Sequence, residues 1–172
     1  MTTLTTARLV MREWRDADLA PFAALNADAE VMRWFTAPLE QAESDAVAAR
    51  IRARFDANGY GLWAVEVPGV TPFAGYVGLH EPAFTAHFTR PDAPCLEIGW
   101  RLAREHWGRG YASEAALALR DHGFAQLGFT RLISLILRGN ERSERVAEKI
   151  GSRYVRDVSR DAWTARLFAV QR

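Results

Sequence analysis

The feature that most constrains this chain is a strand that runs into a glycine-containing turn, which opens a helix. It occupies residues 97–114 and reads EIGWRLAREHWGRGYASE. Gly108 and Gly110 lack a Cβ atom, so their backbone amides can approach an anion closely. The helix start behind them offers free N–H groups and a partial positive charge, and Arg109 adds a cation at the rim. The segment therefore predicts a cradle for a phosphate or pyrophosphate.

The turn fits neither of two common nucleotide-binding motifs. A triphosphate-binding loop needs GxxxxGK[ST], which is absent. A dinucleotide-binding fold needs GxGxxG, and the third glycine does not follow Gly108 and Gly110. On these residues alone, a plain structural turn and a site for another nucleotide, such as ATP or NAD, both remain open.

Hydrophobic periodicity predicts a mixed architecture of helices and strands. Residues 131–137 (RLISLIL) are apolar on both faces, as is typical of a strand covered on both sides. Residues 40–58 place Val47, Ile51 and Phe55 at an amphipathic helical spacing. The full pattern gives the order βααβββαβαββ, an α/β or α+β fold whose mixed sheet has helices on both faces. At 172 residues without a linker, the chain is expected to form one domain over residues 1–172.

Composition argues against several functional classes. Lys and Arg number 22 against 21 Asp and Glu, so the net charge of +1 lacks the basic excess of a nucleic-acid-binding protein. Cys95 is the single cysteine, which excludes an intramolecular disulfide and a cysteine-rich zinc site and fits a reducing, cytoplasmic compartment. No apolar run approaches the ~20 residues of a membrane-spanning helix, and residues 1–14 do not resemble a secretory signal. We expect a cytoplasmic protein that binds no metal, membrane or nucleic acid.

The glycine turn and its surroundings resemble the GNAT superfamily of N-acetyltransferases over nearly the whole chain. The pyrophosphate signature of that family, Q/R-x-x-G-x-G/A, aligns with residues 107–112; Gly110 and Ala112 match, whereas Trp107 replaces the usual Gln or Arg. Residues 140–143 (NERS) resemble the N-x-x-S that opens the last helix of the family, and residues 148–151 (EKIG) resemble its EKxGF close. The branch that it resembles most acetylates ribosomal-protein N-termini and related amines.

The resemblance implies a fold, a reaction and a cofactor site. The expected fold has a mixed, mostly antiparallel seven-stranded sheet, and the expected reaction transfers the acetyl group of acetyl-CoA directly to a primary amine in a ternary complex. Two strands of such folds splay apart, and the pantetheine arm pairs with the free edge of the first. Backbone N–H groups there can hold the developing oxyanion. The residues expected to contact acetyl-CoA are Gly99, Trp100, Arg101, Leu102, Trp107, Gly108, Arg109, Gly110, Tyr111, Ala112, Ser113, Asn140, Arg142 and Ser143.

The amine must lose a proton before it attacks, and Glu97 is the leading candidate for the base. Strand alternation places Glu97 on one face of its strand, where burial would raise its pKa and suit it to accept a proton. A structural ion pair with Arg101 or another arginine is the competing interpretation. Glu66, His80 and His87 are weaker candidates for the same role.

The departing thiolate of CoA needs a proton, and Ser143 is the leading candidate for the acid. Many members of the family use a Tyr in the last helix for this step, but that position is Ala147 here. The branch that the chain resembles uses a serine at the position of Ser143. A helix cap is the competing interpretation of Ser143, since serine is favoured there. Tyr111 and Tyr154 are alternative donors.

Other polar and aromatic side chains can complete the two substrate sites. Candidates for the wall of the acceptor site, with core or dimer packing as the alternative, are Trp34, Phe35, Trp63, Phe84, His87 and Phe88. Candidates for the 3′-phosphate of CoA, with a solvated basic face as the alternative, are Arg138, Arg142, Arg145 and Lys149. The expected partners are acetyl-CoA, an amine acceptor (a peptide N-terminus, a small amine or an amine-bearing antibiotic) and a possible second copy of the chain. A non-catalytic acyl-CoA-binding sensor or interaction module is the alternative function.

Overall fold

The fold is built on a single eight-stranded sheet. A computed structural model describes residues 3–35, 37–82, 96–160 and 163–172. The strands are β1 (Leu4–Thr5), β2 (Val10–Arg12), β3 (Leu62–Val67), β4 (Thr71–His80), β5 (Leu96–Leu102), β6 (Arg131–Leu137), β7 (Arg153–Arg160) and β8 (Trp163–Gln171). Their order in the sheet is β1-β2-β3-β4-β5-β6-β8-β7. Every neighbouring pair is antiparallel except β5 and β6, which run parallel.

In the part of the chain that the structure describes, five α-helices connect and cover the strands. They are α1 (Leu19–Ala27), α2 (Ala29–Met32), α3 (Gln41–Asn58), α4 (Tyr111–Ala125) and α5 (Glu141–Lys149). Trp100 of β5 hydrogen-bonds to α5, whereas its neighbour Arg101 hydrogen-bonds to α1. Because consecutive strand residues point to opposite faces, α1 and α5 lie on opposite sides of the sheet. The predicted mixed fold, with helices on both faces, is therefore confirmed.

The central strands β5 and β6 pair over a very short length. Their register joins Leu96 to Leu132 and Glu97 to Ile133, and pairing ends there. Beyond that point the Oγ atom of Ser134 donates to the carbonyl oxygen of Ile98 at 2.8 Å. A side chain therefore replaces the backbone ladder where the two strands separate, and the later residues of β5 have a strand partner only on the β4 side.

The described sheet has eight strands, one more than the seven that the sequence predicts. Leu4 and Thr5 pair with Met11 and Val10 to form β1 at the edge of the sheet. A two-residue strand is too short to show the alternation of apolar and polar side chains from which strands are predicted.

The predicted order also has two helices before β3, whereas the described residues form three. The extra one is the four-residue α2, which begins because the side chain of Asp28 caps the N–H groups of Glu30 and Val31. The other elements follow the predicted order, and β6 has the predicted bounds, residues 131–137.

A buried ion pair joins β2 to the turn that precedes α1. Nη1 and Nη2 of Arg12 donate to the two carboxylate oxygens of Asp18 at 2.8 and 2.9 Å. Nε of Arg12 also donates to Glu66 of β3 at 2.8 Å. The side chains of Arg12 and Asp18 are only 5% and 3% exposed. Removing one partner would thus leave a charge inside the protein without compensation.

We expect Asp18→Ala to lower the free energy of unfolding by about 3–5 kcal/mol, the usual loss when one member of a buried pair is removed. Asp16 provides the matched control, because it lies in the same turn and pairs with Arg52 through a side chain that is 92% exposed. Asp16→Ala should therefore cost at most about 1 kcal/mol. Urea unfolding of both variants measures the difference, and equal losses would contradict the structural role of the buried pair.

Candidate active site

A groove of about 1060 Å³ opens where β5 separates from β6. It runs from α2 and the residues that follow it, across the end of β5, to the first turns of α4 and α5. Its walls therefore come from both sides of the sheet. An elongated site of this size can hold a cofactor at one end and a second molecule at the other.

The turn before α4 has the conformation that glycine favours. Gly108 and Gly110 have φ angles of +73° and +82°, in the left-handed region, and both line the groove. The first hydrogen bond of α4 is donated by Glu114 N–H to the carbonyl oxygen of Gly110 at 3.0 Å. The preceding N–H groups of α4, from Tyr111 to Ser113, therefore have no partner within the helix. They are open donors at a helix start, which is what the predicted phosphate cradle requires.

A contact from the N-terminal segment stabilises this turn. Glu114 accepts hydrogen bonds from Oγ1 of Thr6 at 2.6 Å and from N and Nε of Arg8 at 3.0 and 2.7 Å. Nη1 of Arg8 donates to the carbonyl oxygen of Arg109 at 3.0 Å. Burial raises the pKa of Glu114, but the hydrogen bonds from Thr6 and Arg8 outweigh it and hold the pKa below its usual value. Spacing along the sequence gives no sign of these bonds, because Thr6 and Arg8 lie more than 100 positions from Glu114.

Cationic side chains dominate the end of the groove formed by α4 and α5. Trp107 is held by a hydrogen bond of 2.7 Å from its Nε1 to the carbonyl oxygen of Leu102, and the guanidinium of Arg142 lies 4.7 Å from its ring centroid. Arg145 and Lys149 line the same end. Together with the open N–H groups of α4, these charges fit the anionic phosphates of CoA. Arg138, the fourth predicted cation, pairs instead with Asp157 and is absent from the described lining of the groove.

Ser143 is in the groove, but it is not the cap of its helix. Oδ1 of Asn140 caps α5 by accepting from the N–H of Ser143 at 3.3 Å. The Nε1 atom of Trp100 donates to Oγ of Ser143 at 3.3 Å. Because an indole N–H can only donate, the serine oxygen acts as acceptor here. Its own hydrogen therefore remains available for another acceptor in the groove.

Glu97 lies at the point where β5 and β6 separate. It is half-buried, and it pairs with His80 in the register of β4 and β5. Burial raises the pKa of Glu97, while the charge of His80 and a hydrogen bond from the N–H of Leu135 act in the opposite direction. Arg101 hydrogen-bonds to Asn26 and makes no ion pair with Glu97. Glu97 is not one of the described residues that line the groove.

Several weaker candidates have structural contacts instead. Glu66 is bound by Arg12 at 2.8 Å and Arg15 at 3.5 Å, away from the groove. The hydroxyl of Tyr154 donates to Asp157 at 3.1 Å. Trp63 is fully buried and packs on Phe55, so the prediction that it lines the acceptor site is wrong. The predicted wall residues Phe84, His87 and Phe88 lie outside the described part of the chain.

Most of the residues predicted to contact the cofactor do line the groove. They are Trp100, Arg101, Leu102, Trp107, Gly108, Gly110, Tyr111, Ala112, Ser113, Asn140, Arg142 and Ser143. Gly99 and Arg109 are absent from the lining that the structure describes. Trp34 and Phe35, two predicted wall residues of the acceptor site, line the opposite end. The sequence signature therefore identified a continuous surface rather than scattered positions.

The comparison with protein families agrees with this geometry. Residues 8–153 match the model of the acetyltransferase (GNAT) domain. The chain belongs to the GNAT family. It is thus an acetyl-CoA-dependent acetyltransferase. A curated relative, the uncharacterized protein YkkB of Bacillus subtilis (strain 168), is 33% identical over 158 residues, which cover 91% of this chain and 88% of YkkB.

Solved structures share the whole fold of this GNAT chain. An acetyltransferase from Agrobacterium tumefaciens str. C58 is 28% identical, with a TM-score of 0.84 over 100% of this chain and 95% of its own. RimL, a ribosomal L7/L12 alpha-N-protein acetyltransferase solved with coenzyme A, has a TM-score of 0.80 at 14% identity, over 99% of this chain and 98% of its own. At that identity, the likeness to RimL concerns the fold alone.

Within residues 3–35, 37–82, 96–160 and 163–172, none of the helices has the length and apolar character that crossing a membrane requires. The same ranges contain no group of three or more His, Cys, Asp or Glu side chains arranged to hold a metal ion.

We expect Gly108→Asp to weaken CoA binding by at least about tenfold, because it places a carboxylate beside a site for anionic phosphates. Gly59→Asp is the matched control. Gly59 also has a φ angle of +73° and open space around its Cβ position, but it ends α3 away from the groove. Both variants should lose similar stability in thermal unfolding. Calorimetric titration with CoA should separate them, and equal affinities would contradict the phosphate assignment.

Proposed function

We propose that this chain transfers the acetyl group of acetyl-CoA to a primary amine by direct attack in a ternary complex. The observation that carries the proposal is the continuous groove, which joins the anion-binding start of α4 to the aromatic residues after α2. When bound, acetyl-CoA supplies the activated acetyl thioester. The exposed edge of β5, residues 99–102, can hydrogen-bond the pantetheine arm, and an N–H group near Trp100 or Arg101 can stabilise the oxyanion.

Glu97 is the proposed base of this reaction. Its raised pKa suits a carboxylate that accepts a proton near neutral pH. It lies two residues before Gly99 on the same face of β5 rather than on the groove wall, so we propose that a water carries the proton from the amine. His80, its neighbour across β4 and β5, limits how far the pKa rises and thereby keeps the ionised form accessible.

Glu97→Gln should lower kcat/KM by about 10²–10⁴-fold, the usual contribution of a general base. The loss should be greatest below the pKa of the amine, about 7.7–8.0 for an α-amine, where the amine is protonated. In the wild type, kcat/KM should rise with pH through the raised pKa of Glu97, because only the carboxylate accepts a proton. The pH–rate profile of the variant should lack this rise. An unaltered profile would assign the base role to water or another group.

Ser143 is the proposed acid that protonates the departing thiolate. Its Oγ atom is fixed by the hydrogen bond from Trp100, which leaves the hydroxyl hydrogen free to be donated into the groove. Tyr111 also lines the groove, but its ring lies beneath the guanidinium of Arg8, 5.0 Å from its centroid. Ser143 is therefore better placed to donate than the tyrosine.

Ser143→Ala should lower kcat by at least about tenfold, with an unchanged dissociation constant for CoA, because the hydroxyl acts on the leaving group rather than in binding. Ser143→Thr keeps the hydroxyl and is the matched control, which should recover most of the rate. Single-turnover kinetics and calorimetric titration measure the two quantities. Full turnover by Ser143→Ala would exclude the acid role.

The proposed acceptor is a protein N-terminal α-amine or the amine of a small molecule. An α-amine has a pKa of about 7.7–8.0, against about 10.4 for lysine, so it needs less help from a base. The shared fold with RimL, whose name gives a ribosomal L7/L12 α-amine as acceptor, supports including protein N-termini. The single cysteine supports a cytoplasmic location for the reaction.

The alternative of a non-catalytic acyl-CoA sensor is not supported, because curated relatives of this GNAT chain are named N-acetyltransferases. Ala147 is fully buried at the helical position where many family members carry the tyrosine acid, so the acid must come from another residue. Release of the CoA thiol in the presence of a panel of amines identifies the acceptor, because the release depends on the amine that is acetylated.

A further inference from the structure

Arg101 occupies the acceptor end of the groove, and it has no carboxylate partner in the part of the chain that the structure describes. Its Nη1 atom donates to Oδ1 of Asn26 in α1 at 2.7 Å and contacts Sδ of Met32 in α2 at 3.3 Å. The side chain lies on the face of β5 opposite Trp100 and the cofactor end, and it lines the groove. The guanidinium is thus presented where the acceptor, rather than CoA, is expected.

A buried polar network sets the position of this guanidinium. Asn26 and Ser44 are both fully buried. Nδ2 of Asn26 donates to Oγ of Ser44 at 2.9 Å, which turns the amide oxygen of Asn26 toward Arg101. Buried amides and hydroxyls are costly unless they are hydrogen-bonded. Here both bonds serve to hold one charged group in one place.

Aromatic rings enclose the same guanidinium. Its carbon lies 3.6 Å from the ring centroid of Phe35 and 5.3 Å from that of Tyr76. A guanidinium is attracted to the faces of aromatic rings. These contacts therefore help to hold Arg101 in the position that Asn26 sets.

Among the described residues, no carboxylate neutralises the charge of Arg101. Its Nε atom is buried without a hydrogen-bond partner. The other arginines at this end of the groove are paired: Arg33 with Glu30 at 3.3 Å and Arg104 with Asp28 at 3.4 Å. A preorganised, uncompensated guanidinium matches the forked geometry of a carboxylate.

Arg101 and the proposed base Glu97 lie on the same face of β5. They are four residues apart, or about 13 Å along the strand. Gly99 stands between them, and among the described residues a Cβ atom there would meet only Nε2 of His80, at 3.5 Å. An acceptor whose anionic group is bound by Arg101 can therefore direct its amine along this face toward Glu97, which it reaches through the water proposed above.

We propose that the amine acceptor carries a carboxylate and that Arg101, fixed by Asn26, binds it. This inference rests on the proposed acetyl transfer, because it names the class of acceptor for that reaction. Arg101 was expected to contact CoA, and the proposal assigns its side chain to the second substrate while its backbone remains on the cofactor edge. The carboxylate can be the α-carboxylate of an amino acid or an acidic side chain near a peptide N-terminus.

A binding experiment tests the carboxylate site without requiring turnover. 3-Phenylpropionate and 3-phenylpropanamide, which lack an amine, are titrated into the protein saturated with CoA. The wild type should bind the carboxylate at least about tenfold more tightly than the amide, the order of effect of a hydrogen bond to a charged group. Arg101→Gln should remove that preference, whereas Arg33→Gln should retain it. Absence of binding, or a preference unchanged in Arg101→Gln, would overturn the proposal.

A kinetic experiment tests the same site during acetyl transfer. The ratio of kcat/KM for L-phenylalanine to that for L-phenylalaninamide is compared between the wild type and Arg101→Gln, so that the different basicities of the two amines cancel. The ratio should fall at least about tenfold in the variant, and CoA affinity should be unchanged. An unchanged ratio overturns the inference and leaves the acetyltransferase intact, whereas carboxylate binding without any acetylation overturns only the proposed function.

Parallel peptides distinguish the two sources of the carboxylate. Ser-Glu-Ala and Ser-Gln-Ala, both with amidated C-termini, replace the amino acid and its amide in the same comparison. If Arg101→Gln lowers the ratio of kcat/KM for the peptides alone, the carboxylate that Arg101 binds is an acidic side chain near a peptide N-terminus. A ratio that depends on Arg101 for the free amino acid alone identifies an α-carboxylate, and dependence in neither series overturns the proposal.

Discussion

The site depends on the separation of two parallel strands in the middle of the sheet. β5 and β6 pair through Glu97 and Ile133 and then part, and Ser134 bridges the first step of the gap. Backbone groups that leave a ladder must find other partners. The side chains of Ser134 and Glu97 meet part of that requirement, the latter through the N–H of Leu135. Beyond this point, residues 98–102 of β5 pair with β4 but not with β6.

The walls of the groove are held by contacts between distant parts of the chain. The glycine turn is stabilised by Arg8 and Glu114, and the far end by Asn26 and Ser44. Each contact uses a charged or buried polar group whose position is set by several hydrogen bonds. Such preorganised donors need little rearrangement when a ligand binds, which is what stabilisation of developing charge requires.

The sequence predicted the parts of this site that are local along the chain. Gly108 and Gly110 follow a strand and precede a helix, so their role can be inferred from spacing alone. The bond between Arg8 and Glu114, which spans 106 positions, has no local signal. Ser143 was open to two interpretations because Asn140 and Ser143 are both good caps. Only the structure distinguishes them, since Asn140 caps the helix and Trp100 holds the serine oxygen.

Strand periodicity explains how one short segment can serve two substrates. Trp100 and Arg101 are consecutive, and a strand directs consecutive side chains to opposite faces. Trp100 therefore reaches Ser143 on the cofactor side, and Arg101 reaches Asn26 on the acceptor side. A shift of β5 by one residue would exchange the two faces, so its register with β4 must be fixed. Gly75 of β4 lies so close to the backbone of Arg101 that a Cβ atom on it would be 2.2 Å from the carbonyl oxygen. Only glycine fits at this position, so the observed register places Arg101 beside a residue of β4 that can accept it there.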